Sequence, residues 1–326
     1  MEIPKEDLLN PVRETTKKVV ENAKHVRINR DKIEELALQW HKSGLPIRLW
    51  DRSIHLQTDD QEKMLTYLLM LDSLNFCFWS PKNTRWAISY RGKEYTGYFG
   101  LSLALREFFE THPDAAKLEY WEKISWQDFL NLFQGGKNLL YLKTRWQIVR
   151  NVSAYLLETY GEFSDFISAA DHKLSTLVPR IARELPSFND YTFYDDNPIY
   201  LRKRAQILAI DIYGAFDGGG VGHFEDLDYA TAFPDYKLPQ IFEHLQIFEY
   251  TPKLRGRIAA QKLIRAGSPE EIEIRSATVW AVEYLKEALR KYGGTYHSFQ
   301  LDWILWEESE KQKLRLPHHR TKTVFY

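Results

Sequence analysis

Three stretches of the 326-residue chain combine residue types that could do chemistry. The first runs His223-Phe224-Glu225-Asp226-Leu227-Asp228-Tyr229 and resumes at Phe233-Pro234-Asp235-Tyr236-Lys237-Leu238-Pro239-Gln240, just after the glycine-rich Asp217–Gly222. Carboxylates interleaved with aromatic rings suit a planar base, because a carboxylate accepts two N–H bonds while a ring face stacks. The same residues also suit a solvated loop whose acids cap the helix after Pro239. A magnesium site is conceivable here, but the spacing matches no calcium loop and no Gly-Lys-Ser/Thr phosphate loop is present.

The second stretch, Arg202-Lys203-Arg204, opens an apolar helical run, Ile207–Tyr213. Cations at a helix start oppose its dipole and call for a compensating anion. A bound phosphate would serve, with Lys203 as its first reader, and so would pairing with Asp195 and Asp196. The third stretch is Phe299-Gln300-Leu301-Asp302-Trp303-Ile304-Leu305-Trp306-Glu307. An aspartate inside an apolar run is costly to bury unless it is paired, capping or functional. Asp302 therefore reads either as a catalytic carboxylate or as the N-cap of the helix that carries Trp306. Glu307 lies five residues on, about 140° around a helix, so the two acids are expected on different faces.

The elements that must position these groups are mostly helices. Ile33, Leu36, Ala37 and Trp40 recur at helical spacing, followed by Gly44 and Pro46 as stop signals. Asp59 or Asp60 caps a second helix leading into Leu74-Asn75-Phe76-Cys77-Phe78-Trp79. Trp86, Ile88 and Tyr90 alternate with polar residues before Arg91-Gly92-Lys93 and Tyr95, which predicts one β-hairpin. Further helices are predicted at about 100–111, 125–134, 139–159, 171–184 and 198–215. Ser268-Pro269-Glu270-Glu271 forms a capping box, so a helix starts there, after a helical stretch Leu254–Ala266 closed by Gly267. The pattern predicts a mainly α fold: a single helical domain over 1–326 with lobes of 1–186 and 187–326 and a small β-hairpin. The connection is expected at Ser187–Pro198, with Asp217–Gly222 as the second candidate.

Composition narrows the function classes. No run of about 18 apolar residues is available to span a bilayer, and Met1–Asp7 carries acids where an export signal needs a basic start. The one cysteine, Cys77, fits a reducing compartment and a packed thiol. The chain is therefore expected to be soluble and cytoplasmic. A formal net charge of −1 offers no basic excess for a nucleic-acid backbone, so stable nucleic-acid binding is not expected. Scattered histidines and acids show no metal-ligand spacing, and neither a metal nor a redox cofactor is expected.

Taken together, several motifs resemble those of the queuosine salvage proteins, queuosine 5′-phosphate N-glycosidases. They are Leu74–Trp79, Tyr95-Thr96-Gly97-Tyr98, Lys203-Arg204-Ala205-Gln206, Phe224-Glu225-Asp226, Asp235-Tyr236 with Pro239-Gln240, Glu273-Ile274-Arg275, Leu301-Asp302 and His319-Arg320-Thr321. The resemblance implies a helical fold similar to helix-hairpin-helix DNA glycosylases, and a small-molecule nucleotide substrate from which queuine is released. It implies that Asp302 is the catalytic carboxylate and that Phe224, Asp226, Trp303 and Glu307 contact queuine. His55 matches a base-contacting histidine, within a stretch, Trp50–Gln61, that departs from the family pattern. Two other functions are compatible with the same fold: a DNA or RNA glycosylase, and a queuine-binding protein without catalysis.

Overall fold

The computed structural model describes residues 8–45, 50–80 and 84–326; the acidic segment 1–7 and the stop signal Pro46 lie outside the described residues. The chain begins with α1 (Pro11–Asn22), β1 (Val26–Ile28), α2 (Arg30–Ser43) and α3 (Gln61–Leu74). The hairpin β2 (Ala87–Tyr90) and β3 (Lys93–Thr96) follows, then α4 (Gly97–Thr111), α5 (Leu118–Lys123), α6 (Trp126–Leu132), α7 (Leu142–Thr159), α8 (Phe163–Ser168) and α9 (Leu174–Glu184). A second hairpin, β4 (Tyr191–Tyr194) and β5 (Asn197–Tyr200), leads to α10 (Lys203–Ala215) and α11 (Lys237–His244). The chain closes with β6 (Phe248–Tyr250), α12 (Pro252–Ala259), α13 (Pro269–Arg290) and α14 (Ser298–Lys311). The mainly helical reading holds, with small antiparallel sheets between the helices.

Local chemistry explains several boundaries. Asp60, of the two candidates, caps α3 by accepting from Lys63 N–H at 3.0 Å. The predicted hairpin turns through Arg91 and Gly92, both at positive φ, the backbone a two-residue turn needs to match strand twist. Within Ser187–Pro198, the expected lobe connection, the chain from Tyr191 onward folds into the second hairpin, and Asp195 and Asp196 supply its two left-handed positions. Ser268 caps α13 with Pro269 at the first turn, but Glu271 reaches back to the N–H of Gly267 at 3.0 Å rather than that of Ser268. The preceding helix is shorter than predicted, ending at Ala259.

Two large apolar clusters fill the interior. One gathers α3 through α9 with α10, Phe224 and Phe233; the other gathers α2, α11 and α13 with Leu301 and Leu305 of α14. The first cluster therefore extends beyond residue 186. Arg145 of α7 and Arg204 of α10 cap the end of α3: Arg204 donates to the carbonyls of Asp72 and Ser73 at 3.0 and 2.8 Å, and Arg145 to those of Leu74 and Phe76. Cations are favoured at that negative helix end.

A buried guanidinium fixes the start of α10. Arg275 of α13 grips Asp190 through two bonds of 2.9 and 2.6 Å and donates through Nε to the carbonyl of Pro234 at 2.9 Å. Asp190 also accepts from the backbone N–H of Lys203 at 3.2 Å, and its carbonyl accepts from Leu201 and Arg202. Removing one member of a buried pair strands the other, at about 3–5 kcal/mol. Asp190→Ala is therefore expected to lower folding stability by about that amount, measured by denaturant unfolding; a loss below about 1 kcal/mol would show that Arg275 finds another partner.

Candidate active site

A cavity of about 670 Å³ opens between α10, α14, the start of α4 at Tyr98 and the loops around Trp50, Phe76 and Phe233. That volume suits a nucleotide-sized ligand. Along α10, Lys203, Ile207 and Asp211 line it at four-residue spacing, one face of the helix. From α14 come Asp302, Trp303, Trp306, Glu307 and Glu310. Asp302 and Glu307 do share the wall despite their angular separation, because the cavity covers a broad arc of α14.

Asp302 sits inside α14, whose N-cap is His297, so it does not cap the helix. It is 4% exposed, and its Oδ2 accepts the N–H of Phe233 at 2.7 Å. Burial raises its pKa well above the ordinary carboxylate value, and the charge of Asp235 adds to this; the Phe233 N–H and Lys203 oppose it. Lys203, 4% exposed, feels the carboxyls of Asp235, Asp72 and Asp302, while burial lowers its pKa. Internal carboxyls thus offset part of its charge at the helix start. Asp195 and Asp196, the surface alternative, turn the second hairpin instead.

His55 lines the cavity with its ring stacked on Trp50 at 3.9 Å between centroids. Its Nδ1 meets Tyr67 Oη and Ser102 Oγ, each at 3.0 Å, and its Nε2 lies 3.4 Å from Tyr98 Oη. Burial depresses its pKa to about 3, so the imidazole is neutral. Gly214 of α10 makes room for this stack, since a Cβ there would stand 3.2 Å from Trp50 and 3.5 Å from Trp303. Phe76, also in the wall, has the guanidinium groups of Arg145 and Arg204 over its ring, 4.0 and 5.0 Å from the ring centre.

Two expected contacts are placed elsewhere. Phe224 packs in the first apolar cluster and does not line the cavity. Asp226 accepts the N–H groups of Leu174 and Ser175 at 2.6 and 2.9 Å, closing the first turn of α9. Lys173, at the N-cap of α9, makes no side-chain cap bond, and Asp226 satisfies amides that the helix leaves open. The second half of the same stretch supplies the cavity residues that the resemblance did not assign: Phe233, Asp235, Tyr236 and Lys237. Asp211 was also missed, although it stands in the apolar run Ile207–Tyr213 as Asp302 stands in its own. The glycine run is not in the cavity wall; Gly222 passes so close to the Ile212 carbonyl that a Cβ would meet it at 2.8 Å. Among the described residues no group of three or more His, Cys, Asp or Glu side chains is placed to hold a metal ion. No described helix is long and apolar enough to cross a membrane.

Aromatic walls, a neutral imidazole and buried carboxyls define a site for a planar, polar small molecule. The chain belongs to the queuosine salvage protein family, whose model matches residues 54–326. It is 40% identical to a protein of Sphaerobacter thermophilus named queuosine 5′-phosphate N-glycosylase/hydrolase, over 96% of both chains. Proteins of the same name from Dictyostelium discoideum and Mus musculus are 32% and 27% identical; the alignments cover 98% and 96% of this chain and 100% and 98% of theirs.

The neutral state of His55 is open to direct measurement. Its imidazole resonances are expected to show no titration step between pH about 5 and about 8, where an ordinary histidine changes charge. A step near 6.5 would show an imidazole that water reaches.

Proposed function

We propose that this chain hydrolyses the N-glycosidic bond of queuosine 5′-phosphate and releases queuine. The observation that carries the reading is Asp302, a buried carboxylate held by the Phe233 N–H in an aromatic cavity, in a chain related along its length to hydrolases of that name. Cleaving a ribosyl C–N bond places developing positive charge on the sugar. A carboxylate in a poorly solvated site opposes that charge strongly and can orient the attacking water. The bond's electron pair leaves with the base, the water oxygen joins the sugar carbon, and the water's protons are shared between base and new hydroxyl. Queuine is a 7-deazaguanine, without the ring nitrogen that a purine glycosidase can protonate, so more of the barrier falls to the carboxylate.

In this reading Trp303 and Phe233 stack on the base, His55 borders it, and Asp235 and Glu307 accept from its N–H groups or from the side-chain ammonium of queuine. Phe233 and Asp235 replace Phe224 and Asp226 in these roles. Lys203 offsets the charge of Asp302 and Asp235. Arg85 and Lys237, also in the wall, are then the cations assigned to the 5′-phosphate. We further propose that the fold is akin to helix-hairpin-helix glycosylases, with α12 and α13 as the helical pair, and that both lobes work as one domain.

Asp302→Asn keeps the shape and removes the charge, so kcat is expected to fall about 100-fold or more with KM largely kept. In the intact protein, kcat/KM should rise with pH through an ionisation above the ordinary carboxylate range, the sign of a carboxyl that must lose its proton to act. Normal turnover by Asp302→Asn, measured as free queuine by mass spectrometry, would remove Asp302 from catalysis. Lys203→Ala is expected to lower kcat/KM for nucleotide and nucleoside alike, because its partners are carboxyls of the protein. A loss confined to the nucleotide would instead make Lys203 the phosphate reader.

A further inference from the structure

Beneath the proposed base site, Asp211 of α10 meets Asp72 of α3. Both side chains are buried, Asp211 at 3% and Asp72 at 0% exposure, and Asp211 lines the cavity while Asp72 stands behind it. Asp72 Oδ1 receives one long bond from Asn75 Nδ2 at 3.4 Å. The Oδ2 atom of each meets no donor among the described residues. The charged and titratable groups facing Asp211 are Asp72 and Tyr67 of α3, Tyr98 of α4 and Lys203 of α10. Asp51 lies within electrostatic range of Tyr98, and neutral His55 sits against it. Tyr67 already shares its hydroxyl with His55 and Ser102.

Two carboxylates cannot both stay ionised in contact and out of water unless donors surround them. Here Lys203 serves Asp72 and Asp211 as well as Asp235 and Asp302, and the Arg204 guanidinium, already bonded to backbone carbonyls, adds positive charge on the Asp72 side alone. The pair therefore keeps a proton. We propose that Asp211 carries this proton and, as a neutral carboxylic acid supported by Asp72, donates a hydrogen bond to the departing base. The assignment rests on the reading of the reaction given above. A guanine-like ring has a carbonyl oxygen and a ring nitrogen that only accept, and both gain charge as the C–N bond breaks. A donor already oriented in a dry wall stabilises that charge without reorganisation. The proton stays on Asp211 throughout.

The electrostatic environment of the pair agrees with this arrangement. Burial raises the pKa of both acids, and the charge of Asp72 raises Asp211 further. A donor that must keep its proton fails as pH rises through its pKa, so Asp211 sets an alkaline limb on kcat, opposite in sign to the acid limb of Asp302.

Three variants and one spectrum test this. Asp211→Ala should lower kcat about 100-fold, the scale of one lost transition-state donor. Asp211→Asn, which still donates, should lose only about 10-fold and should no longer show the alkaline limb. Asp72→Asn puts an amide donor beside Asp211 and removes the charge that holds its proton, so the limb should move to lower pH by about one unit or more. In the protein without substrate, the infrared spectrum near neutral pH should contain a carboxylic-acid carbonyl band that is absent from Asp211→Asn. An ionised Asp211 in that spectrum, or an alkaline limb unmoved in Asp72→Asn, overturns the donor. Absence of queuine release by the unaltered chain overturns the reaction itself, and the infrared band distinguishes the two failures.

Discussion

The buried contact between Arg275 and Asp190 governs most of the site's geometry. One guanidinium from α13 reaches the carboxylate that receives the first amide of α10 and, through its third nitrogen, the carbonyl of Pro234. Lys203 follows directly from the first of these contacts, and Phe233 and Asp235 flank the second. A planar fork with fixed donor directions is what such a junction demands; a lysine would supply charge without the geometry. The ring of Tyr326 lies 4.2 Å from the same guanidinium, so the chain's last residue is also held against the cavity.

Given that frame, the chemistry turns on charge balance in a place with little water. Lys203 is the ammonium shared by carboxyls from α3, α10, α14 and the Phe233–Asp235 segment. The protein does not neutralise this group fully. In the proposed reaction, leaving it short of cations makes Asp302 hard to ionise before positive charge develops on the sugar, and keeps a proton on the Asp72–Asp211 pair. On that proposal, two acids of similar burial serve opposite roles, one acting ionised and one acting protonated, as their neighbours direct.

The aromatic wall performs a separate task. Phe76 is contacted by two guanidinium groups and Trp50 is stacked on His55. Rings fixed in this way lose little freedom when a planar ligand enters, so stacking costs less entropy than it would on mobile side chains.

The sequence by itself determined the helical character, the hairpin at 87–96 and the caps at Asp59 or Asp60 and at Ser268, because each depends on residues within one or two turns of each other. It also marked Asp302, since an acid in an apolar run is locally anomalous. The same criterion applied to Asp211, within Ile207–Tyr213, and to Asp72, beside Leu71 and Leu74. What no local pattern contained was which acids share one space. Asp226 and Asp235 belong to the same acid-rich stretch, yet one closes the first turn of α9 and the other borders the cavity. Likewise, the two acids of Asp195-Asp196 served a turn rather than a partner. Those outcomes were decided by tertiary structure, because a carboxylate takes whichever donors the packing of distant helices brings to it.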